Sequence, residues 1–282
     1  MAIEAISKAL STTKKYFWRL LLMTIPYVII YFALTGLEIY FMKETQIMNL
    51  DDIFTSGVSM IMRIVITLIT NILGMSIIMG YLLGEKDGHF PLKNAFAVFT
   101  RGNTWLISIG YSLLIIVIMI LYAGVTIGGI FGIATLLGSF SLNVWLKLLI
   151  AIVGIGLIVA WFFLYAYVGL GLQFMYLAYF EAKGQNKHVS FFYGVRASLE
   201  MMKGHRWSLF GFKFTLLLVA LAIFLLLGII GIILWAIFAV ALSLKILGTI
   251  FLILIGLMAF AVFLFFNVWI FMGYAKFYEE IK

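Results

Sequence analysis

Long apolar stretches alternate with short, mostly basic segments along the whole chain. Apolar runs at about residues 17–41, 58–83, 105–126, 145–176, 207–235 and 247–274 each meet the length of about 20 residues that a helix needs to cross a bilayer. The pattern predicts an all-α polytopic membrane protein with six transmembrane helices. The fourth and fifth runs exceed the bilayer, which predicts tilting, kinking or extension beyond it. Gly154, Gly156, Gly169 and Gly171 offer the fourth run several bending points.

The segments that lead into the odd-numbered spans have a helical pattern of their own. Ile3, Ile6, Leu10 and Phe17 recur at helical spacing before the first span, Leu92, Phe96 and Phe99 before the third, and Phe192, Val195, Leu199 and Met202 before the fifth. Basic amphipathic helices of this kind lie in the membrane interface. Each ends on a basic residue four positions before a tryptophan: Lys14 and Trp18, Arg101 and Trp105, Lys203 and Trp207. Tryptophan prefers the headgroup level and a nearby cation meets phosphates, so these six residues are read as interfacial anchors. The recurrence, and the closing pairs Tyr81 with Glu85, Tyr176 with Glu181 and Tyr274 with Glu279, predict a single membrane domain over 1–282. It is built from three divergent repeats, at about 1–85, 86–182 and 183–282. Each is an interfacial amphipathic helix followed by a transmembrane hairpin.

Composition strengthens the membrane reading. Hydrophobic residues make up 65% of the chain and charged ones 11%, against roughly 25% charged in soluble domains. The net charge of +8 does not point to nucleic acid, because the cations cluster at span boundaries, where anionic lipid headgroups would be the partner. Lys and Arg concentrate before the first span, between the second and third, between the fourth and fifth, and after the sixth. By the positive-inside rule both termini are cytoplasmic. The first span is expected to remain uncleaved. Cysteine is absent, which excludes disulfides, thiolate metal sites and cysteine nucleophiles.

Chemistry-bearing residues inside the spans are few. Glu38 lies about 30 Å from Trp18 along a helix, and Arg63 a similar rise from Gly84, so the two should meet near the outer boundary of the first hairpin as a structural ion pair. Asn71, Gln173 and Asn267 are intramembrane amides expected to hydrogen-bond across helices. Gly124, Gly128 and Gly132 form a stripe at four-residue spacing, expected to let helices pack closely within the chain. His89, His188 and His205 show no metal-ligand spacing, and no acid-base or nucleophile constellation appears. No catalytic, cofactor or metal residues are assigned.

Gly80-Tyr81-Leu82-Leu83-Gly84-Glu85-Lys86, then Phe96 and Phe99, then Arg101-Gly102-Asn103-Thr104-Trp105 resemble an uncharacterised family of bacterial six-span membrane proteins. Lys203-Gly204-His205-Arg206-Trp207 looks like a second basic-Gly-polar-x-Trp element. A related pattern occurs in the membrane domain accompanying some glycerophosphodiesterases, although no catalytic phosphodiesterase domain is present in this chain. The first unit departs from the pattern, with Lys15 where the other two have glycine. The resemblance implies the fold and a setting in the bacterial cytoplasmic membrane, and carries no activity.

The function expected from these features is non-enzymatic: handling lipids or other amphiphiles, or protection against membrane-active peptides. The alternative is a membrane subunit of a transporter energised by a separate cytoplasmic or membrane partner, docked on residues 188–206.

Overall fold

The computed structural model describes residues 1–47, 52–139, 143–185, 189–241 and 245–282. Among them there is no strand. The helices are α1 (Ala2–Ile47), α2 (Asp52–Asp87), a 3-10 turn (Leu92–Phe96), α3 (Ala97–Thr100), α4 (Thr104–Ser139), α5 (Val144–Leu172), α6 (Met175–Gly184), α7 (Phe191–Met201), α8 (Arg206–Trp235), a π turn (Ala236–Ala241) and α9 (Lys245–Ile281). Six helical stretches are long and apolar enough to cross a membrane: Ala2–Phe41, Gly57–Asp87, Thr104–Gly138, Val144–Gly184, Arg206–Phe238 and Ile246–Ile281. This is the makeup of a multi-pass membrane protein. In hydrocarbon every backbone N–H and C=O must find a partner within the protein, and a helix supplies them all.

α4 runs unbroken to Ser139, well past the expected end at residue 126. Gly124, Gly128 and Gly132 all lie within it. A helical glycine costs only about 1 kcal/mol relative to alanine, less than exposing backbone groups to lipid.

The three lead-ins are helical, and each meets its long helix at a marked backbone position. Gly102 has φ +61° and Gly204 φ +87°, a left-handed conformation that only glycine adopts readily. In the first lead-in, Tyr16 takes non-helical angles (φ −118°, ψ 18°) inside α1. That junction is a kink with negative φ, so Lys15 can stand where the others have glycine.

The chain divides into two compact units. The first comprises Met1–Leu34, Leu73–Thr100 and Trp207–Lys282, the second Thr35–Ile72 and Arg101–Arg206. In the first unit, the hydroxyls of Thr24 and Tyr81 lie 2.6 Å apart, each 2.9 Å from the carbonyl of Leu20. Tyr81 and Thr24 are fully buried, so this closed triangle satisfies polar groups that water cannot reach. Gly80 sits against the carbonyl of Asn94, and the Ser76 hydroxyl accepts the Val98 N–H at 3.2 Å. The last turns of α9 add a charge clamp. Lys276 pairs with Glu85 of α2 and lies 3.5 Å from Glu279, while Glu280 accepts from Lys8 of α1 at 3.1 Å.

In the second unit, Tyr111 donates to the Phe191 carbonyl at 2.6 Å, and Gly194 packs onto the Tyr111 hydroxyl and the Met175 carbonyl. Tyr122 stacks between Trp161 and Tyr165, with centroids at 5.9 and 4.1 Å.

Candidate functional site

The most site-like feature is built where α5 ends, α7 runs and α8 begins, all in the second unit. α5 breaks at Gln173 and Phe174, the latter with φ −110° and ψ 11°, and α6 starts at Met175. The break is held by Ser198 of α7. Its fully buried hydroxyl accepts the Phe174 N–H at 3.2 Å and donates to the Gly171 carbonyl at 2.7 Å. One side chain thus replaces the ladder bonds that the break removes.

Gly171, beside the break, has no side chain, and two groups occupy the space. A Cβ there would lie 2.9 Å from Leu199 Cδ2 and 3.2 Å from the Arg206 guanidinium carbon. That guanidinium stacks over the Tyr167 ring, 3.8 Å from its centroid. The Arg206 Nε is buried and makes no hydrogen bond among the described residues.

Around this seat opens a cleft of about 540 Å³, lined by Tyr167, Phe192, Val195, Arg196, Leu199, Glu200, Lys203 and Arg206. Its lining mixes apolar and aromatic side chains with charged ones. Arg196 donates to Glu200 at 3.0 Å, so these two neutralise each other, leaving Lys203 and Arg206 as the cations not engaged by Glu200. Phe192 is 71% exposed and Lys203 is exposed, so apolar and charged groups are both open to the surroundings. Such a surface can seat a molecule that carries an anionic head on an apolar body.

A second hollow, of about 310 Å³ in the first unit, is lined by Ser11, Thr12, Lys15, Tyr16, Gly84, Glu85, Gly88 and Phe90. It lacks the broad apolar lining of the α7 cleft.

The other residues singled out from sequence fall as follows. Trp18 and Trp207 are mostly exposed and Trp105 partly so, with Lys14 and Arg101 exposed beside them. Arg101 lies over the Phe180 ring at 4.8 Å. Arg63 Nε donates to Glu38 Oε1 at 2.7 Å, the carboxylate largely covered and the guanidinium largely exposed. Gln173 caps the end of α5, Asn71 is half-buried, and Asn267 donates to the Phe263 carbonyl of its own helix at 2.9 Å. That Asn267 bond lies along α9 instead of across helices, because the carbonyl four residues back is already within reach.

One expectation needs correction. A Cβ added at Gly124, Gly128 or Gly132 meets nothing within 4 Å, so within the described chain these glycines are not a helix-packing seam. The close approach between α4 and α5 falls at Gly154, against Ile133. Of the lead-in stripes, Ile3, Leu92, Phe96, Phe99 and Phe192 are exposed and Met202 is buried, while the small or polar residues Ala5, Ala9, Thr13, Ala95, Ala97, Gly194 and Ser198 are buried between them. Small residues admit close backbone approach, and in a membrane the outward face can be as apolar as the inward one.

His188 lies outside the described residues. Among those described, no group of three His, Cys, Asp or Glu residues could hold a metal ion. The break at Gln173 and Phe174 falls just after Gly169 and Gly171, two of the bending points expected in the fourth run, whereas its bond to Ser198 left no signal in the sequence.

No protein-family model, curated protein or solved structure matches the chain.

Proposed function

We propose that this is a non-enzymatic multi-pass protein of the bacterial cytoplasmic membrane that handles lipids or other amphiphiles. Three divergent hairpin units would carry it, with the lead-in helices and both termini on the cytoplasmic side. The observation that supports the reading best is the α7 cleft, where aromatic side chains and two cations not engaged by Glu200 meet at the start of a long apolar helix. The exposed large apolar residues of the lead-ins support it further, since a helix embedded at a lipid interface presents such residues to the acyl chains. Protection against membrane-active peptides is one service such a protein would give its membrane.

Reconstitution into liposomes tests the proposal. Measured transbilayer movement of labelled lipids, or leakage induced by a cationic membrane-active peptide, is expected to change when the protein is present. No change in either, with the protein folded and inserted, overturns the reading.

A further inference from the structure

Resting on the amphiphile reading, we infer that the α7 cleft is a one-to-one site for an anionic phospholipid. Lys203 and Arg206 hold its phosphate, and Tyr167, Phe192 and Leu199 line the path of its acyl chain.

Charge is the first support. With Arg196 and Glu200 paired to each other, the lining keeps two cations not engaged by Glu200, so a headgroup of net negative charge is favoured over a zwitterionic one. Geometry is the second. Stacking on Tyr167 fixes the plane of the Arg206 guanidinium, and its buried Nε has no acceptor among the described residues. A guanidinium held in one plane presents parallel N–H groups that match two phosphate oxygens.

Gly171 is what admits Arg206 to this position, since a side chain there would press on both Leu199 and the guanidinium. The cleft volume, about 540 Å³, falls within the range of roughly 300–1,000 Å³ typical of small-molecule sites, more than a free phosphate needs. The exposed Phe192 and Tyr167 give the remainder an apolar character that suits methylenes and not a soluble anion. Trp207, next to Arg206 and mostly exposed, belongs at headgroup depth.

The test uses the full chain in detergent or nanodiscs, with bound lipid counted by native mass spectrometry. Phosphatidylglycerol is expected to bind as one retained molecule, about tenfold tighter than phosphatidylcholine, because both carry the phosphate but only choline sets a cation against Lys203 and Arg206. Lys203→Gln with Arg206→Gln should remove that preference while leaving helical content unchanged. Lys14→Gln with Arg101→Gln, which removes the same charge elsewhere, should keep it, and excess inorganic phosphate should not displace the lipid.

If the cleft double variant keeps the preference, or the control variant loses it equally, the anionic site is overturned while lipid handling stands. Phosphate binding without lipid retention would make the cleft a soluble-anion site and also overturn it. Absence of any retained lipid, together with unchanged liposome behaviour, overturns both readings. Should the double variant misfold, Arg206→Lys decides: it keeps the charge but loses the planar stack, and an unchanged preference would sink the role given to Arg206.

Discussion

The guanidinium of Arg206 rests on the ring of Tyr167, with its central carbon 3.8 Å from the ring centroid. A cation over an aromatic face gains about 0.5–1 kcal/mol where exposed and about 2 or more where desolvated. Tyr167→Phe keeps the ring face, so it should leave thermal stability and phosphatidylglycerol binding near wild type. Tyr167→Leu keeps apolar bulk without the quadrupole, and binding should weaken several-fold. Equal behaviour of the two variants in the native mass spectrometry assay would remove the ring from the account.

Ser198 bonds both flanks of the α5 break, through Phe174 N–H and Gly171 C=O. Ser198→Ala removes both bonds, at a cost of about 0.5–1.5 kcal/mol for each. The midpoint of thermal unfolding should fall, and hydrogen exchange at the Phe174 amide should accelerate. An amide as protected as in the wild type would mean that the break is held by something else.

Much of this arrangement was legible in the sequence because bilayer crossing leaves a strong, local signal. The six apolar runs fall on the six long helical stretches, the second and third basic-to-tryptophan junctions at the starts of α4 and α8, and the first at the kink inside α1. The facing of the lead-in helices was not legible. Ile3 and Ala5 are both apolar, and only packing decides that Ala5 is buried and Ile3 exposed. The cleft was half visible: Lys203 was marked as an anchor, but Arg206 needs Gly171 and Tyr167, brought near only by the α5 break and the turn at Gly204. Ser198 looked like any helix serine, because its partner Phe174 is 24 residues away in sequence.

The junction glycines give a test that separates backbone conformation from packing. A Cβ at Gly102 or Gly204 meets nothing within 4 Å, so alanine there pays only for positive φ, about 1–2 kcal/mol each. Lys15→Gly should bring no gain, because the first junction turns at Tyr16 with negative φ. Thermal unfolding of the three variants reads this out, and a gain from Lys15→Gly, or an unchanged midpoint in Gly204→Ala, would contradict it.

Helix glycines divide in the opposite sense. Gly194 packs onto the Tyr111 hydroxyl and the Met175 carbonyl, and Gly80 onto the Asn94 carbonyl, whereas Gly128 faces open space. Alanine at 80 or 194 should destabilise by about 1–3 kcal/mol through overpacking. At 128 it should be neutral or stabilising by up to about 1 kcal/mol, the difference in helix propensity. A marked loss on Gly128→Ala, measured by unfolding in detergent, would show that α4 is covered there by another molecule.

Ion pairs of similar composition should differ sharply in what their loss costs. Lys276 and Glu85 have side chains only 15% and 24% exposed, whereas Arg196 and Glu200 are 84% and 69% exposed. Removing one partner of a covered pair strands a desolvated charge, at about 3–5 kcal/mol when burial is complete. An exposed pair is worth at most about 1 kcal/mol and weakens with salt. Lys276→Met should therefore unfold well below wild type, and adding Glu85→Gln should recover part of the loss, because the covered Glu85 carboxylate is then no longer stranded while Glu279 still lacks Lys276. Glu200→Gln should change the midpoint little, and less still at high salt. If the Lys276→Met and Glu85→Gln effects simply add, the two residues are not coupled, and the ion pair does not clamp α9 to α2.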